Sequence, residues 1–207
     1  MSDTGLVYIV DDEETVRRSV ARLVRSVGLR AETFSSVQAF LAQNRRAYPA
    51  CLVLDVRLPG ESGLDLQVAL GPAQRSLPII FITGRGTVPI SVRAMKGGAL
   101  DFLQKPFDGQ ELLDCIHRAL AKSREGHASE SERAVIEGRL ATLTRRERQV
   151  LDLVVKGLLN KQIAGELGAA EKTVKVHRGR VTRKMEADSV AQLVRMMQIA
   201  GHEPASA

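Results

Sequence analysis

Four short apolar runs in this chain each end in a residue suited to phosphoryl chemistry. Asp11-Asp12 follows Leu6–Val10, Asp55 closes the run that begins at Cys51, Thr83 follows Pro78–Ile82, and Lys105 lies just past Asp101–Leu103. Carboxylates that converge without a counter-ion raise one another's pKa. With a divalent cation such as Mg2+ or Mn2+ they become a hard-oxygen site with room for water and a phosphoryl oxygen. An Asp can itself accept a phosphoryl group as an aspartyl phosphate. The transfer then needs in-line placement and charge stabilisation, for which Lys105 offers an ammonium and Thr83 a hydroxyl. Asp55 alone reads more readily as a carboxylate that merely opens the loop broken at Pro59-Gly60. Its partners at the other strand ends favour the chemical reading.

Such a site needs a scaffold that gathers strand ends. Strands are expected at Leu6–Val10, Leu29–Phe34, Leu52–Leu54, Pro78–Ile82 and Asp101–Leu103. Helices alternate with them: Thr15–Val27, Ser36 to about Asn44, Gly63–Leu70, Pro89–Met95, and one capped by Asp108 that closes near Lys122. Runs apolar on both faces imply a parallel sheet covered on both sides, an α/β doubly wound fold with strand order 2-1-3-4-5. Ligands in such sheets bind at the carboxyl ends of the strands, where the four stretches meet. This organisation predicts a first domain over 1–122. Residues 123–141 read as a linker, with apolar spacing at Val135, Ile136 and Leu140 that suits a short helix.

Residues 142–207 read as a small all-helical domain. Thr144 with Glu147 forms a capping-box pattern, Asn160 is placed to cap Lys161–Leu167, Gly168 turns the chain, and Glu171–Met185 is the next helix. Asp188 or Ser189 caps a last helix with apolar Val190, Leu193, Val194, Met197 and Ile199. The formal net charge is +6, and this third of the chain holds 12 Lys and Arg against 7 Asp and Glu. Lys161, Lys172, Thr173, Lys175, Val176, His177, Arg178 and Arg180 are the candidate contacts to DNA; Arg183 and Lys184 extend the basic surface. Charge alone favours a solvated face; a tight turn before a basic helix fits a recognition helix in the major groove. Cys51 and Cys115 read as buried free thiols, and no zinc spacing is present. No apolar run nears the roughly 20 residues of a membrane span, and Met1–Gly5 shows neither the basic nor the apolar stretch of a leader. A cytoplasmic place with no membrane partner is expected.

Val10-Asp11-Asp12, Leu54-Asp55-Val56-Arg57-Leu58-Pro59-Gly60, Ile82-Thr83-Gly84 and Asp101-Phe102-Leu103-Gln104-Lys105-Pro106-Phe107 resemble the receiver domain of bacterial two-component response regulators. Leu143-Thr144-Arg145-Arg146-Glu147, Asn160–Ala164, Glu166-Leu167-Gly168 and Lys172–His177 resemble the LuxR-type helix-turn-helix. The whole chain is similar to the FixJ/NarL class. The resemblance implies Asp55 as phosphoacceptor, and Asp11, Asp12, Asp55 and the Arg57 carbonyl around the metal. It also implies Thr83 and Phe102 as a switch pair, although spacing alone leaves Phe102 a core aromatic, and a cis Lys105–Pro106 bond. The implied partners are a sensor histidine kinase, promoter DNA, RNA polymerase and a second copy of the chain on phosphorylation, with the last helix as a dimer seam. Two departures stand out: Ala170 where a capping Ser or Thr is usual, and Arg85 after the switch strand. The expected function is transcription regulation controlled by Mg2+-dependent phosphorylation, with no enzymatic turnover of an external substrate. The alternatives are a phosphorylation-independent DNA-binding regulator and, more remotely, an aspartyl-phosphate hydrolase.

Overall fold

In the computed structural model, which describes residues 5–43, 49–71, 73, 76–84 and 86–202, the apolar runs form a parallel sheet. The described residues fall into two compact units that divide between Ala128 and Ser129. In the first unit the chain runs β1 (Leu6–Val10), α1 (Glu14–Ser26), β2 (Arg30–Phe34), α2 (Val37–Leu41), β3 (Ala50–Asp55), β4 (Arg57–Leu58), β5 (Glu61–Ser62), α3 (Gly63–Leu70), β6 (Ile79–Thr83), α4 (Val88–Lys96), β7 (Asp101–Gln104) and the start of α5 (Gly109–Ala141). The sheet order is β2-β1-β3-β6-β7, all parallel. With β6 and β7 as the fourth and fifth sheet strands, this is the expected 2-1-3-4-5.

β1, β3 and β6 are buried at every residue, as central parallel strands must be, whereas the edge strands β2 and β7 keep exposed positions. Successive strand residues face opposite sides. Leu6, Tyr8 and Val10 therefore pack with Leu52, Leu54, Phe40 and Phe81, while Val7 and Ile9 pack with Val20, Val24, Leu112 and Ile116. Each fully buried side chain of this size is worth roughly 1.5–3 kcal/mol. The small antiparallel hairpin β4–β5, turned at Gly60 with φ +84°, was not anticipated. Two-residue strands are too short to show periodicity.

The helix expected to close near Lys122 continues to Ala141. Its interior glycines, Gly126 and Gly138, cost only about 1 kcal/mol each, and no proline interrupts it. Ser123 is wholly buried: its hydroxyl donates to the Ser76 carbonyl at 2.5 Å and accepts from Ala50 N–H at 3.0 Å. Farther on, Ile136 and Leu140 are buried in the core of the second unit.

That unit holds α6 (Arg145–Val155), α7 (Asn160–Leu167), α8 (Glu171–Met185) and α9 (Val190–Ile199). The Thr144–Glu147 capping box forms as expected. Asn160 does not cap α7: it is the helix's first residue, Leu159 holds the N-cap position, and Gln162 Oε1 accepts the Leu159 N–H at 2.8 Å. Gly168 turns the chain in the left-handed region at φ +58°. Ala170 holds the N-cap position of α8 and gives no side-chain cap, and Ser189, not Asp188, caps α9 through Gln192 N–H. Among the described residues no helix is long and apolar enough to cross a membrane.

Candidate metal centre and nucleic-acid interface

Register assembles the acidic pocket. Val10 pairs with Leu54 across β1 and β3, so the next residues, Asp11 and Asp55, stand side by side at the sheet tip. Asp55 pairs with Ile82, which brings Thr83 one residue beyond it, and Lys105 N–H donates to the Thr83 carbonyl at 2.7 Å. Asp11, Asp55 and Thr83 are buried; Asp12 is exposed. Lys105 Nζ lies 2.7 Å from both Asp11 Oδ2 and Asp55 Oδ2, and 3.5 Å from Glu13 Oε1. One ammonium thus faces three carboxylates, with that of Asp12 close by.

Asp11, Asp12 and Asp55 each offer a carboxylate oxygen, all within 4.8 Å of one another. Hard oxygen donors so spaced fit a Mg2+-like cation. Burial raises the Asp11 carboxyl above its ordinary range, even though the Lys105 and Glu13 N–H bonds act the other way. Burial pulls the Lys105 ammonium down, but its hydrogen bonds to Asp11 and Asp55 outweigh that, and its pKa is raised. The Lys105 side chain accordingly stays charged in the pocket.

The loop after Asp55 is held closely. Arg57 N–H donates to Asp55 Oδ1 at 2.9 Å, and Gly63 N–H and Ser62 Oγ both bond the Val56 carbonyl. A Cβ on Gly63 would lie 2.3 Å from the Asp55 carbonyl oxygen, so only glycine fits there. The Lys105–Pro106 bond is cis, as the resemblance implied. Phe102 is half-buried, with its ring centroid 6.5 Å from that of Phe81. A Cβ on Gly86 would lie 3.0 Å from the Phe102 ring and 3.2 Å from the Thr83 methyl, so Gly86 covers both expected switch residues. Arg85 lies outside the described residues. Sequence reasoning missed Gly63 and Gly86, because a glycine required by a distant neighbour looks locally like any other.

In the second unit, Val174, Val181 and Met185 turn into the core and leave the opposite face of α8 in solvent. Lys161, Lys172, Thr173, Lys175, Val176 and Arg180 are exposed, and His177 and Arg178 are half-buried. Arg178 Nη1 donates to Asn160 Oδ1 at 2.9 Å, which gives the misassigned cap its actual partner. Lys184 is committed inward: its ammonium reaches Glu147 Oε2 at 2.7 Å and the Thr142 carbonyl at 2.9 Å. That bond, then the Thr144 amide, lowers the Glu147 carboxyl to about 2.

The family model for the response regulator receiver domain matches residues 7–117, and that for bacterial regulatory proteins of the luxR family matches residues 141–197. Nodulation protein W of Bradyrhizobium diazoefficiens is 48% identical over 200 residues, covering 97% of this chain and 88% of that protein. The transcriptional regulatory protein FixJ of Rhizobium meliloti is 43% identical over 198 residues, covering 96% of this chain and 97% of that protein. The solved structure of the response regulator StyR is 45% identical, with a TM-score of 0.77, and covers 94% of this chain and 98% of its own.

Proposed function

The chain belongs to the response regulators that join a receiver domain to a LuxR-type DNA-binding domain, transcription regulators and not catalytic enzymes, and we propose that phosphorylation of Asp55 switches it. The observation that carries this reading is the Lys105 ammonium bridging Asp11 and Asp55 inside a cluster of three carboxylates. The Asp55 carboxylate takes the phosphoryl group from a phosphohistidine of a sensor kinase. The P–N bond breaks, a P–O bond forms, and the imidazole leaves. Asp11, Asp12, Asp55 and the Arg57 carbonyl would hold Mg2+ or Mn2+, which when bound neutralises charge on the phosphoryl oxygens. Lys105 exchanges a carboxylate for a phosphoryl oxygen, and Thr83 donates its hydroxyl to another.

Phe102 follows Thr83 inward, and the α4–β7 surface changes with it. Val88, Val92 and Met95 line one side of α4 at 75%, 44% and 45% exposure, an apolar stripe suited to a second copy of the chain. Phosphorylation shifts a pre-existing equilibrium toward that dimer. Two α8 helices then meet half-sites about 34–36 Å apart in promoter DNA, where the dimer acts on RNA polymerase. A DNA partner implies a cytoplasmic place. Band-shift assays on wild type and Asp55→Asn, each with and without acetyl phosphate, test this. Phosphodonor should tighten operator binding by wild type alone. Equal binding in all four cases would leave a phosphorylation-independent DNA-binding protein.

A further inference from the structure

Arg17 lies in the first turn of α1, six residues after Asp11, and the mechanism above gives it no task. Its Nη1 donates to the backbone carbonyls of Asp11 at 2.6 Å and Asp12 at 2.8 Å. Within the same turn, Glu13 N–H donates to Asp11 Oδ1 at 2.9 Å, and Arg17 N–H to the Glu13 carbonyl at 3.1 Å. Among the described residues Arg17 forms no ion pair, so its charge is spent on these two carbonyls. Charge-assisted bonds of this kind are roughly twice as strong as neutral ones. Lys105 differs: it sits on carboxylate oxygens of Asp11 and Asp55, two of the side chains that would hold a cation. Arg17 grips the peptide units that carry the paired acids and leaves their carboxylates open.

We propose that Arg17 is a positioning residue for the divalent-cation site, holding the Asp11–Asp12 turn so that both acids face Asp55. This rests on the metal reading of the pocket. The test is Mn2+ binding to the full chain, followed by the electron paramagnetic resonance signal of the free ion. Wild type, Arg17→Gln, Arg17→Lys and Arg18→Ala are compared, with the unfolding midpoint in EDTA measured alongside. Losing an outer contact of this kind costs about tenfold or more in metal affinity, and Arg17→Gln should lose that much. Arg17→Lys keeps the charge without the rigid fork and should lose several-fold; it carries the test if the Gln variant does not fold. Arg18→Ala should bind as wild type does, because among the described residues Arg18 pairs only with Glu14 in solvent, at 3.5 Å. If Arg17→Gln lowers the EDTA midpoint but binds Mn2+ as tightly as wild type, Arg17 is merely structural and the proposal is overturned, while the metal site stands. If wild type itself binds no Mn2+, the metal reading fails and the positioning role with it.

Discussion

Replacing Glu147 by Gln removes a charge and almost no volume from the junction of α6 and α8. The amide can still accept the Thr144 N–H, so the loss is confined to the bond with Lys184. In the folded unit the carboxyl titrates at about 2 against an ordinary 4.5. At about 1.4 kcal/mol per pH unit, that depression is worth about 3 kcal/mol. The Lys184 side chain is 35% exposed, and solvent screening brings the working figure to about 2 kcal/mol. Because the folded pKa lies below the unfolded one, the stabilisation is complete at pH 7 and fades as pH falls from about 5 toward 2; near pH 3 less than half remains. Hydrogen exchange of the full chain, read by mass spectrometry on peptides from α6 and α8, isolates this unit. At pH 7 the variant should open about 30-fold more often than wild type, and the gap should narrow sharply at pH 3. Exchange equal to wild type at pH 7, or a gap just as wide at pH 3, would refute the assignment of this ion pair as what seats α8.

Lys175→Ala should weaken operator binding and lower the salt slope by about one, measured by fluorescence anisotropy across salt concentrations. Lys184→Ala should instead lower the stability of the second unit, with its salt slope kept once binding is corrected for the folded fraction. Gly63→Ala forces a methyl group against the Asp55 carbonyl and should cost roughly 1–3 kcal/mol, seen as a fall in the thermal midpoint of the first unit. Gly86→Ala narrows the space beside Thr83 and Phe102. It should leave phosphorylation by acetyl phosphate intact on a phosphate-affinity gel while blunting the gain in DNA binding; an undiminished gain would remove Gly86 from the switch.

Much of the fold was legible because its signals are local. A buried parallel strand is a short apolar run, and the polar residue that ends it is conspicuous, so Asp11, Asp55, Thr83 and Lys105 stand out together in the amino-acid sequence. The Thr144–Glu147 cap and the Gly168 turn are equally local. What the chain could not reveal by itself depends on partners distant in sequence. The pairing of Val10 with Leu54 and of Asp55 with Ile82 turns four strand ends into one pocket. The core of the second unit recruits Ile136 and Leu140, which carries α5 well past the expected stop at Lys122. Asn160 looked like a cap and instead holds Arg178; Lys184 looked like part of the basic face and instead holds Glu147. A side chain's type states which bonds it can make. Among several eligible partners, only the tertiary packing decides which lies within about 3 Å, and at that distance a buried charge has to be matched.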